Sequence, residues 1–191
     1  LYMAVQSAAN GVELDGSTTD SNSQVANGKG GMFGMTAGVD VGYSMAMGDA
    51  MFFGLGVQIN PGDASMDVDS GGSANTNNTD VTLELGDLLT YYATAGYTIS
   101  ENSALYIKYG SVEADLSVTG DVTKLTSLDG ETWALGTVSQ HDSGLYFQTE
   151  AGITEYDNLT LTGLGTYIAT TNSATADPTV AYGQISAGYR F

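Results

Sequence analysis

Five charged residues sit at even-numbered positions inside segments whose odd positions are largely apolar: Asp40, Glu84, Lys108, Glu150 and Arg190. Lys108 and Arg190 are half of the 4 basic residues in a chain that carries 22 acidic ones. Charges taken out of water must be paired and hydrogen-bonded. These five therefore form a candidate network, with Asp40, Glu84 and Glu150 as partners for the two cations. On the inner face of a closed sheet it would act as a salt-bridged plug that fills the interior and fixes strand register. The alternative is a narrow charged channel.

Other chemistry is less well served. His141, Asp142 and Ser143 supply the residue types of a hydrolytic triad, but they are neighbours in a turn signal, His141-Asp-Ser-Gly144. A nucleophile and its base must be brought together by the fold, so a turn is the expected reading and no catalysis is expected. Asp63, Asp67 and Asp69 offer oxygen ligands suited to calcium. Their spacing does not complete an EF-hand loop, and a hydrated acidic loop is the competing reading. No cofactor motif is present. The net charge of −18 excludes nucleic-acid binding, which needs a basic surface. The chain has no cysteine.

The elements that must position these residues show through a period of two. Read back from the end, Phe191, Tyr189, Ala187, Ile185, Gly183 and Ala181 form one small or apolar face, and Arg190, Gly188, Ser186, Gln184, Tyr182 and Val180 the other, which is mostly polar. Between residues 83 and 99 the odd positions are Leu83, Leu85, Asp87, Leu89, Tyr91, Ala93, Ala95, Tyr97 and Ile99, against Glu84, Gly86, Leu88, Thr90, Tyr92, Thr94, Gly96 and Thr98. The same alternation runs through 1–9, 32–45, 50–60, 103–115, 131–140, 144–156 and 179–191. That predicts eight strands in a single all-β domain over 1–191. Short connections at Met47–Ala50, Ser100–Ser103 and His141–Gly144 alternate with polar stretches at 10–31, 60–81, 116–130 and 157–178, read as long loops. No run of about 18 apolar residues exists for a membrane-crossing helix. Leu1 already reads as strand, so the chain is expected to be numbered after removal of any leader.

A soluble barrel and a membrane barrel both alternate, but they place the same residues on opposite sides. The even face carries few charges for a water-facing wall. The odd face has aromatics near strand ends and Ala, Val and Gly between them, as an aromatic girdle around an apolar band requires.

On these residues, above all the Tyr189-Arg-Phe191 end and Leu105-Tyr-Ile-Lys-Tyr-Gly110, the chain resembles the small eight-stranded outer-membrane barrels of the OmpX, OmpA transmembrane-domain and opacity-protein type. The resemblance implies an eight-stranded antiparallel up-and-down transmembrane β-barrel in a bacterial outer membrane, with long loops outside and short turns and termini in the periplasm. It implies a terminal strand, marked by Ile185, Tyr189 and Phe191, that the barrel-insertion machinery recognises. Lipids and lipopolysaccharide are the implied surroundings, and lateral homo-oligomers are open. The expected role is structural or surface-related. A small-solute or ion channel, and a soluble barrel holding an apolar ligand, are the competing functions.

Overall fold

The computed structural model describes residues 1–19, 25–62, 64–68, 81–119, 125–162 and 173–191. Its strands are β1 (Tyr2–Thr19), β2 (Val25–Met47), β3 (Met51–Asn60), β4 (Ala64–Val68), β5 (Val81–Ser100), β6 (Ser103–Thr119), β7 (Ser127–Gln140), β8 (Leu145–Tyr156), β9 (Leu159–Thr162) and β10 (Ser173–Arg190). All pairings are antiparallel, and β1 pairs with both β2 and β10, which closes the sheet. The wall has eight staves. β3 and β4 lie successively along β5, and β8 and β9 successively along β10.

The register fixes the barrel's size. Partners traced from Tyr2 through Gly42, Gly56, Tyr92, Gly110, Thr132, Thr154 and Val180 return to β1 at Val12, ten residues further on. Strand number and this stagger together set tilt and diameter, and an eight-stranded barrel is just wide enough for side chains to fill. The tight turns close where expected. Gly48 (φ 73°) and Gly144 (φ 90°) supply the left-handed backbone that two of them need.

Two expectations are corrected. The stretches 10–31, 60–81, 116–130 and 157–178 are not simply loops: β1, β2, β6, β7 and β10 run on into them, and β4 and β9 lie within them. Apolar alternation stops once the wall has no lipid to face, but ladder hydrogen bonds do not. There the outer face is mostly polar, as in the Ser17 to Thr175 side-chain bond, while Leu116, Leu128 and Leu159 turn inward. The second correction concerns the phase of β5. A bulge between Leu85 and Leu88 inserts a residue against β6, so positions on either side of it do not share one alternation.

The sidedness is plain. Leu135, Phe147 and Ile185 are 61%, 64% and 66% exposed on the outside, while Lys108, Glu150 and Gln184 are buried inside. The apolar residues Met3, Val5, Val41, Leu55, Ile107 and Ile153 continue the outer belt. Water-soluble monomers rarely expose a contiguous apolar surface beyond a few hundred Å². A bilayer instead requires an apolar belt around a closed barrel whose backbone groups are all paired. The exterior meets that requirement, and the soluble reading with the odd face as its core is set aside.

Large and small residues alternate on the inner face. The Tyr2 and Tyr92 rings lie over Gly42 and Gly56, Tyr106 over Gly136, and Tyr182 over Gly152, each too close for a Cβ on the glycine. Gly136→Val is therefore expected to displace Tyr106 and lower unfolding stability in detergent by about 1–3 kcal/mol. A urea titration checks this.

Candidate functional site

The site is the polar layer across the middle of the lumen. β6 brings Lys108 inward and β8 brings Glu150 inward, in the same alternation that turns Ile107 and Ala151 outward. Lys108 Nζ lies 2.9 Å from Glu150 Oε1, and both side chains are almost wholly buried. The pair is well satisfied. Lys108 also donates to Gln58 Oε1 at 2.9 Å and sits 4.6 Å from the Tyr92 ring centroid. Glu150 accepts from Tyr182 at Oε1 (2.9 Å) and from Tyr106 at Oε2 (2.7 Å). Tyr106 in turn accepts from Gln148. A buried ion pair holds only when its remaining donors and acceptors are matched; here the carboxylate has three donors and the ammonium two oxygen acceptors.

Asp40 is as deeply buried but makes a different contact. Tyr92 donates to Asp40 Oδ1 at 2.5 Å, and the Tyr2 and Tyr92 hydroxyls are 2.7 Å apart. No ion pair to Asp40 occurs among the described residues. Beside this layer runs a string of amides: Gln6 and Gln58 both donate to Asn60, Gln58 to Gln184, and Gln184 to Ser186.

The five charges of the sequence network do not all meet. Arg190 is exposed at the short-turn end, where it donates to Gln140 at 3.0 Å and Ser44 at 2.6 Å, away from Glu150. Its phase is inward, but it is the last residue of β10 and stands at the mouth. Glu84 lies beyond the β5 bulge, in backbone register with Ser117 and Ser65. Ser117 is exposed, so the phase that grouped Glu84 with Tyr92 and Thr94 does not hold there; the Glu84 side chain itself is outside the described residues. Asp63 and Asp69 also lie outside them. Asp67 is on β4 opposite Thr82, its side chain not described. Among the described residues, no three His, Cys, Asp or Glu side chains gather to hold a metal. Ile185, Tyr189 and Phe191 are all on the outer face, with the two rings edge to face at 5.1 Å. His141 Nδ1 accepts from the Ser143 N–H at 3.3 Å, a bond internal to its turn.

Sequence reasoning missed the tyrosines and a second closure. Tyr92, Tyr106 and Tyr182 all share the inward phase of the charges, which was the available signal. Towards the long-connection end, Ala114, Leu116, Leu128 and Leu159 form an apolar cluster inside the wall, with Leu88, Leu125 and Tyr156 packed on it. Leu116 and Leu128 fall in a stretch read as loop. The polar layer thus has a cavity of about 360 Å³ on its short-turn side and only about 60 Å³ on the other.

No protein-family model matches the chain, and a search of curated proteins finds no match. Solved structures do. The outer-membrane protease OmpT of Escherichia coli is 7% identical with a TM-score of 0.50, over 100% of this chain and 97% of its own. Ail, the attachment invasion locus protein of Yersinia pestis, solved with the heparin analogue sucrose octasulfate, is 11% identical (TM-score 0.47; 98% and 99% covered). Neisserial surface protein A is 12% identical (TM-score 0.47; 99% and 97% covered). At these identities the likeness concerns fold alone. The class defined by closure, sidedness and filled lumen is an eight-stranded antiparallel transmembrane β-barrel, the architecture of bacterial outer-membrane barrels.

Proposed function

We propose that the chain is a non-enzymatic integral barrel of a bacterial outer membrane with a structural or surface role, its lumen plugged and its acidic long connections presented outside. The observation that carries this reading is the Lys108–Glu150 pair with its tyrosine and glutamine partners, which occupies mid-lumen where a channel would need open space. The apolar cluster behind it supports closure from the other side. Outward-facing Glu113, Asp115, Asp129, Glu131 and Glu155 stand where the apolar belt ends, as headgroup-level residues would. This orientation puts the short turns in the periplasm. Lipid and lipopolysaccharide are its surroundings, the insertion machinery its partner during biogenesis, and the outer belt a surface for lateral homo-oligomers.

A narrow ion channel is the second reading, favoured by the cavities on both sides of the polar layer. Planar-bilayer recording separates them. The plugged barrel gives no stepwise conductance at moderate voltage, while regular steps that disappear on thermal unfolding would establish the channel.

A further inference from the structure

Among the described residues the buried charges of the lumen do not cancel. Asp40, Lys108 and Glu150 are the buried acidic and basic side chains among the described residues, two carboxylates against one ammonium. Lys108 is committed to Glu150. Asp40 is left with a phenol hydroxyl as its side-chain donor, at a depth where an unpaired charge is costly.

The hydroxyls around Asp40 have a direction. A carboxylate only accepts, so Tyr92 must donate to Asp40, and Tyr2 must then donate to Tyr92. Every proton in this relay points towards Asp40. The Tyr2 oxygen therefore turns lone pairs, not a proton, to its open side. Tyr146 packs edge to face on Tyr2, with ring centroids 5.9 Å apart, and its hydroxyl is buried without any partner. Tyr2, Tyr92 and Tyr146 all line the cavity of about 360 Å³ at the short-turn end. Asp49, Glu101 and Asp142 also line that cavity, against Arg190 as the one permanently charged cation there. A cleft lined by one sign of charge concentrates the opposite ion.

We propose that this vestibule is a monovalent-cation site, in which the ion is coordinated by the Tyr2 and Tyr146 oxygens and its charge balanced by Asp40 through Tyr92. The ion is a bare alkali cation or the ammonium head of a small amine, for which the cavity has room. The site is separate from the plug, since neither Lys108 nor Glu150 lines this cavity.

The test uses the folded full chain in detergent micelles with ring-labelled tyrosine. Sodium, potassium and propylammonium chlorides are each titrated against N-methylglucamine chloride at constant ionic strength. Tyr2 and Tyr146 resonances should shift saturably. A response to the alkali ions identifies a bare-ion site, and a response to propylammonium alone an amine site; either supports the proposal. Tyr146→Phe deletes only an unpartnered hydroxyl, so it should fold normally and weaken the apparent affinity about tenfold. Asp40→Asn should abolish the response. No saturable shift with any of the three salts, as expected if Asp40 is neutralised by a proton, would overturn the proposal. So would an unchanged affinity in Tyr146→Phe.

Discussion

Lys108→Met is expected to destabilise the barrel by about 3–5 kcal/mol, the cost of leaving a buried carboxylate without its cation. Methionine fills similar space, so the loss isolates charge pairing from packing. Glu150 would keep its tyrosine donors, but these cannot neutralise it at mid-bilayer depth. The double variant Lys108→Met, Glu150→Gln should recover most of the loss, because both charges are then absent. A buried pair can be no better than an apolar replacement even when breaking it is expensive. Urea unfolding in detergent reads all three proteins. Full stability in the single variant would show that the pair has no structural part.

Leu135→Arg should cost about 2–4 kcal/mol, the penalty for arginine near the bilayer midplane on the lipid face of a barrel. Leu135 on β7 is opposite Ile107 of β6 and Ala151 of β8, within the apolar belt. The same substitution at the outward position Asp129, level with the acidic rim, should cost about 1 kcal/mol or less. Reversible unfolding in lipid vesicles gives both values. Equal costs at the two positions would deny the belt its depth dependence.

The sequence carried the architecture because lipid outside and side-chain filling inside impose the same period of two on every stave. That period located the faces of Lys108 and Glu150 but not their meeting, since they lie 42 positions apart and meet only through the β6–β7–β8 registers. It failed for Glu84 because a one-residue bulge is nearly silent in sequence; the adjacent Leu88 and Leu89, apolar in both phases, are its trace. Arg190 shows a different limit: alternation gives the face but not the height, and a residue at the mouth can have lumen phase and still reach solvent. The tall strand extensions were hidden because their outer face is mostly Ser, Thr, Asp and Asn, the composition of a loop, and the inward Leu116, Leu128 and Leu159 are too few to show a period. The hydroxyl relay from Tyr2 to Asp40 was out of reach, because it depends on rings from β1 and β5 leaning over glycines of β2 and β3.

The sidedness of the wall is directly measurable, because the chain has no cysteine of its own. Single cysteines placed in turn at positions 131–139 of β7, nitroxide-labelled and reconstituted in bilayers, report collisions with lipid-soluble oxygen and with a water-soluble nickel chelate. Oxygen maxima are expected at 133, 135 and 137, with low access to both reagents at 132, 134 and 136. Oxygen maxima at the even positions, or nickel access at 133, 135 and 137, would contradict that sidedness and turn the barrel inside out.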